Sequence, residues 1–194
     1  MDARAMIQGM TVDAAMSQDE ESALIARAKR DPAAFGELYR RHHPAIARYI
    51  HRRVGDAHVT EDLVADVFVS ALQAFGAYRD NGVPLRAWLY RIATNRVNRW
   101  ARRERSRAMK RLETESVAAT ESPPDENSSR ERARTALLTI APRFQTVLSL
   151  HYLEGLSVPE VAAALGCREG TVKSRLHRGR EKLRQRLQHR RSLL

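Results

Sequence analysis

A single cysteine, Cys167, stands in 194 residues. That excludes an internal disulfide and a multi-cysteine zinc site, and it fits a reducing compartment. No run of about 18 apolar residues occurs, so no membrane-spanning segment is expected. Met1 to Glu21 lacks an apolar core flanked by basic residues, so no secretory signal is expected either. Lys and Arg are absent from Val54 to Tyr78 and again from Leu112 to Ser129. No internal repeat is visible. Hydrophobic residues still make up 43 %, which excludes wholesale disorder and suits one domain or two small ones. A cytoplasmic protein is the expectation.

The net charge of +11 is concentrated. Arg86 to Arg111 holds ten Lys/Arg against Glu104, a net of +9, and Arg168 to Arg191 holds ten against Glu169 and Glu181, a net of +8. The rest of the chain is therefore acidic, at −6. Two clustered basic faces are the electrostatic footprint of nucleic-acid binding. A basic membrane-surface helix competes, but it needs an unbroken apolar face, and Gly179 interrupts the stripe of the second segment. Between the segments, Glu113, Glu115, Glu121, Asp125 and Glu126 accompany Pro123–Pro124 and several Ser/Thr. That composition reads as a linker. The boundaries follow: a disordered tail over 1–18, a helical domain over 19–106, a linker over 107–130 and a second helical domain over 131–190.

In the first unit, Asp31-Pro32 starts a helix that Gly55 stops, with Pro44 expected to kink it or break it in two. Thr60 is the expected cap of the next helix, whose apolar face runs from Leu63 to Phe75. Its acids, Asp62 and Asp66, are either a solvated face or a docking surface. His58, Asp62 and Asp66, each four apart, also fit metal ligands weakly; no metal and no cofactor is expected. Pro84 starts a third helix. There Trp88 and Trp100 stand among Arg86, Arg91, Asn95, Arg96, Asn98 and Arg99. Arginine binds phosphate, asparagine reads base edges, and rings stack on bases. Trp100 reads as core; Trp88 suits either role.

In the second unit, Pro142 opens a helix expected to run through Leu153 and close at Gly155. Ser157 and Glu160 then form a capping box, and Leu156 and Val161 a hydrophobic staple. Gly166 ends that helix. After a short turn a second helix presents Arg168, Glu169, Thr171, Lys173, Ser174, Arg175 and Arg178 near its start. This is a helix-turn-helix pattern, whose second helix enters the major groove by its N-terminal residues. Cys167, in the turn, reads as a small apolar filler. Rival readings are a one-component regulator, which would need a ligand or receiver domain, and a helical nuclease, which would need further metal ligands.

Three blocks, EDLVADVFVSAL (61–72), LRAWLYRIATNRVNRW (85–100) and LSVPEVAAALGCREGTVKSRLHRGREKL (156–183), resemble in order and spacing the bacterial sigma-70 family of RNA polymerase sigma factors. The likeness is to the small extracytoplasmic-function type. It implies an all-α fold of two small helical domains joined by a flexible acidic linker, the second a helix-turn-helix of sigma-4 or winged-helix-like type. It also implies a non-enzymatic factor that binds core RNA polymerase, directs it to promoters and promotes melting, in response to an envelope or other stress. Asp62, Asp66, Val69 and Leu72 would grip the clamp of the largest polymerase subunit, with Ala65 replacing a usual polar residue. Arg79, Asp80, Asn81, Arg86, Trp88, Arg91, Asn95 and Arg99 would meet the −10 element. Arg168, Glu169, Thr171, Lys173, Ser174, Arg175 and Arg178 would meet the −35 element, with the second unit near the polymerase flap. The linker would thread toward the RNA exit path as a nucleic-acid mimic. The implied partners are polymerase core, promoter DNA and an anti-sigma factor. The latter would hold the protein at the inner membrane face until it is released to the nucleoid.

Overall fold

The computed structural model describes residues 18–79, 82–114 and 135–191. Helices α1 (Gln18–Ala28), α2 (Pro32–Val54), α3 (Ala57–Ala74) and α4 (Leu85–Thr114) build the first unit. Helices α5 (Pro142–Leu148), α6 (Val158–Leu165) and α7 (Glu169–Arg191) build the second, preceded by a helical turn over 135–139. No β-strand occurs among the described residues. The second unit is an all-helical helix-turn-helix over its described residues. The stretch 115–134, most of the expected linker, lies outside the described residues, as do the tail over 1–17, Asp80 and Asn81. Helix α4 itself continues past 106 to Thr114.

Local chemistry explains the boundaries. Asp31 is extended (φ −128°, ψ 109°), and its carboxylate accepts from the Ala33 amide. Pro32 follows at the first helical position, where its missing N–H costs nothing. Helix α2 is not broken at Pro44. Proline there removes the donor to the carbonyl of Arg40, and both residues face solvent, where water replaces the lost partner. Gly55 closes α2 in the left-handed region (φ 81°), its amide bonded to the His51 carbonyl. Asp56 then caps α3 by accepting from Val59 at 2.8 Å. The expected cap, Thr60, lies one turn inside the helix, buried, with its hydroxyl donating to the Asp56 carbonyl. A Gly-Asp pair places the cap directly after the left-handed turn, so Thr60 was never needed for it.

The first core gathers Leu38, Ile46, Tyr49, Ile50, Val67 and Ala71 with Ala87, Ala93 and Val97 of α4. Each large apolar side chain so buried contributes about 1.5–3 kcal/mol. The small Ala87 and Ala93, both fully buried, let α4 approach its neighbours closely. Tyr49 carries a polar tip into this interior, where its hydroxyl meets that of Thr94 at 2.8 Å.

In the second unit the helix begun by Pro142 changes pitch. Ser149–Leu153 form a π turn, and the Glu154 amide bonds back to the Ser149 carbonyl. A π turn inserts an extra residue per ring, and here it directs Glu154 inward. Ser157 and Glu160 form the expected reciprocal capping box, and Gly166 (φ 61°) ends α6. Val161, Val172 and Leu176 are buried between α6 and α7. Gly179 interrupts the apolar stripe for a packing reason: a Cβ there would lie 3.2 Å from Cδ1 of Leu148.

Candidate nucleic-acid and partner interfaces

Three surfaces emerge from these elements. On α3, the buried stripe of Leu63, Val64, Val67, Phe68 and Ala71 fixes the rotation of the helix. The opposite side, with Asp62, Asp66, Val69 and Leu72, faces solvent. Val69 is 55 % exposed and Leu72 49 %. Two exposed apolar residues thus stand beside two exposed carboxylates on one helix face. Asp66 is held at its back by Arg96 of α4 at 3.5 Å, and Arg96 also donates to the Ser70 hydroxyl. Arg96 was not among the expected site residues. Among the described residues no three His, Cys, Asp or Glu side chains converge as metal ligands.

The second surface is built on the α3–α4 turn. Phe75, Tyr78 and Trp88 cluster, with the Tyr78 and Trp88 rings 5.1 Å apart. The Tyr78 hydroxyl donates to the Val83 carbonyl at 2.9 Å. Asp80 and Asn81 lie between these two residues in the sequence. Trp88 is partly buried against this cluster, so it serves the core and borders the loop at once. Arg79 donates to the carbonyls of Gly76 and Tyr78. Along α4, Trp88, Arg91, Asn95 and Arg99 fall at offsets of 3, 4 and 4, a single helical stripe. Arg91, Asn95 and Arg99 are all exposed. Arg86 lies on roughly the opposite side of that helix, at about 100° per residue. Its guanidinium grips Glu160 of α6 in a bidentate pair, Nε to Oε1 at 2.7 Å and Nη2 to Oε2 at 2.8 Å.

The third surface is the start of α7. Arg168, Glu169, Lys173, Ser174 and Arg178 are exposed, while Thr171 and Arg175 are half-buried. Lys173 sits 3.9 Å from Glu169, and the Ser174 hydroxyl donates to the Thr171 carbonyl. The buried Val172 and Leu176 turn these polar residues outward.

The two units also meet each other. Helix α4 packs along α6. Glu154, with its side chain only 3 % exposed, accepts from Arg52 at 2.6 Å and from the Tyr90 hydroxyl at 2.8 Å. Arg53 donates to the Thr146 hydroxyl at 2.9 Å. Burial pushes the Glu154 carboxyl up, against the hydrogen bond from Tyr90 and the charge of Arg52. Burial also raises Tyr90, strongly, helped by the adjacent Glu154 charge. For Glu160 burial acts upward too, but hydrogen bonds from Arg86 and Ser157 outweigh it and hold the carboxyl below its usual range. Next to this interface lies a cleft of about 440 Å³ lined by Arg53, Asn95, Asn98, Arg102, Arg143 and Arg175. No local sequence period announces any of these pairings.

Comparison with known proteins gives these surfaces a context. Residues 38–107 match the family model described as Sigma-70 region 2, and residues 130–183 the one described as Sigma-70, region 4. The chain is 34 % identical to the ECF RNA polymerase sigma factor SigL of Mycobacterium tuberculosis over 153 residues, covering 77 % of this chain and 86 % of that one. It is 34 % identical to ECF RNA polymerase sigma factor SigE of Mycolicibacterium smegmatis over 157 residues. There the match covers 78 % of this chain but 60 % of SigE's own length. Among solved structures, CnrH in complex with the cytosolic domain of CnrY matches at TM-score 0.65 and 28 % identity, over 87 % of this chain and 97 % of that one. The paired region 2 and region 4 matches, in that order on an all-helical fold, establish that the chain belongs to the sigma-70 family, in its extracytoplasmic-function group.

Proposed function

We infer that this protein binds core RNA polymerase and directs it to promoters, reading a −35 element with α7 and a −10 element with the first unit. The observation that carries this reading is the division of labour across one chain. An exposed acidic, partly apolar stripe lies on α3, and exposed basic residues lie on α4 and at the start of α7. DNA would repel the first and attract the other two.

The roles follow from chemistry. Asp62 and Asp66 offer carboxylates to a basic helical partner on the polymerase clamp, while Val69 and Leu72 supply apolar area. Trp88, Arg91, Asn95 and Arg99 meet the −10 element. The Tyr78–Val83 loop, with Arg79, Asp80 and Asn81, takes an unstacked base. Holding that base offsets the few kcal/mol, roughly, that unpairing costs. Arg168, Glu169, Thr171, Lys173, Ser174, Arg175 and Arg178 engage the −35 major groove, where phosphate contacts position and few base contacts specify. Arg86 joins the −10 set only when it leaves Glu160. The protein makes and breaks no covalent bond.

A partner that sequesters the factor, an anti-sigma protein, completes the reading, with a stress signal releasing it. Among the described residues no helix is long and apolar enough to cross a membrane. In this reading the anti-sigma partner holds the factor at the membrane face, and release lets it associate with the nucleoid. Run-off transcription with core polymerase tests the proposal. Promoter-specific initiation that appears only when this protein is added is expected. Its absence on every genomic template from the source organism would overturn the reading.

A further inference from the structure

We propose that Glu154 and Glu160 form a latch that holds the chain in a closed form unable to span a promoter. The inference rests on the reading of α4 and α7 as the two DNA-contacting helices. Asn95 of α4 and Arg175 of α7 line one cleft of about 440 Å³. Elements centred 10 and 35 base pairs upstream are about 25 base pairs apart, or ~85 Å along the duplex at 3.4 Å per step. Two residues that share one cleft cannot occupy both elements. The units must separate before the factor works.

What holds them is specific. Arg86 and Arg52 of the first unit each grip a carboxylate of the second, at 2.7 Å and 2.6 Å. Tyr90 adds a second bond to Glu154. A glutamate carboxylate presents two oxygens to a guanidinium fork much as a phosphate does. Glu154 and Glu160 therefore take, inside the chain, positions that a DNA backbone would take outside it. Opening releases two arginines for phosphate and frees the cleft-lining Asn95 and Arg175. Closure and promoter binding exclude each other, so each weakens the other by the same factor.

The test uses the full chain without polymerase. Glu160→Gln keeps the capping box, since Gln serves at that position, and Glu154→Gln keeps the shape of the buried side chain. The E154Q/E160Q protein is compared with wild type by small-angle scattering and by binding to a 40-base-pair duplex of random sequence. R52Q approaches the latch from the other unit. E37Q/E181Q removes the same charge as the double variant at residues that make no contact between units, and circular dichroism checks the fold of each. A larger radius of gyration is expected for E154Q/E160Q and R52Q but not for E37Q/E181Q. For E154Q/E160Q the slope of log affinity against log salt should steepen by about two, one for each released arginine. Latch variants that fold and stay compact would overturn the proposal, as would opened variants whose salt slope matches that of E37Q/E181Q. Neither result depends on run-off activity, so failure of the sigma-factor reading would be seen separately.

Discussion

Gly179 of α7 lies against Leu148 of α5 so closely that a methyl group on it would sit 3.2 Å from Cδ1 and 3.3 Å from Cγ of the leucine. Phe144 Cβ lies equally near, at 3.3 Å. Gly179→Val should therefore destabilise the second unit by about 1–3 kcal/mol through overpacking. Gly170, on the same helix, has open space around it, so Gly170→Ala should instead stabilise by about 0.5 kcal/mol. Opposite shifts in urea midpoint would check the pair.

Tyr49 is fully buried with its hydroxyl on Thr94. Tyr49→Phe should cost about 1–2 kcal/mol, because the Thr94 hydroxyl loses a buried partner. Adding Thr94→Val should recover part of that loss, since two apolar groups leave nothing unsatisfied. Equilibrium unfolding of the two single variants and the double variant measures the coupling.

Asp62→Arg with Asp66→Arg should weaken binding to core polymerase by on the order of tenfold or more, about 1.4 kcal/mol per tenfold. Both residues are exposed, so thermal stability should change little and duplex binding should not fall. Equal loss of both activities would point to misfolding instead.

Arg175→Ala should weaken binding to a promoter fragment bearing the −35 element by about 1–3 kcal/mol if Arg175 reads a base, and relax preference at one position. If it meets a phosphate, the loss should be uniform across sequences, with the salt slope reduced by about one. Unchanged affinity would remove Arg175 from the reading surface.

Glu160 carries a pH prediction. Its carboxyl is held below the usual range in the folded chain, so it contributes stability above the unfolded value of 4.5. That contribution is lost as pH falls through the lower folded value. Glu154 has the opposite sign: its carboxyl is raised, so protonation favours the folded form, and that benefit fades as pH climbs through its folded value. Thermal midpoints from pH 6 to pH 3 should fall less steeply in E160Q than in wild type and more steeply in E154Q.

Much of this fold could be read from short-range chemistry. Asp31-Pro32, the Ser157–Glu160 box and Gly166 each act within one turn, so local sequence specifies them fully. Thr60 misled because Asp56, four residues earlier, starts the helix once Gly55 has turned the chain and takes the Val59 amide, so the amides beyond Thr60 already lie inside the helix. Pro44 does not break α2 in two, because a missing donor matters only when water cannot reach the orphaned carbonyl. The stripe of Trp88, Arg91, Asn95 and Arg99 was visible in the spacing. The separation of Arg86 from that stripe also follows from helical geometry, but its partner does not. Glu160 lies 74 positions away, and Glu154 lies 102 from Arg52. Pairings at that range depend on how two cores dock, which no residue period encodes.

The Glu160 carboxylate does two things at once. It accepts from the Ser157 amide and hydroxyl at the start of α6, and from Arg86 across the interface. Nucleation of the supporting helix and docking of the two units thus share one side chain. Separating the units leaves that carboxylate with the capping bonds alone, so the first turn of α6 should exchange its amide hydrogens faster whenever the chain opens. The Glu160 and Val161 amides then become a built-in gauge of how much of the population is open, readable by hydrogen exchange without a label.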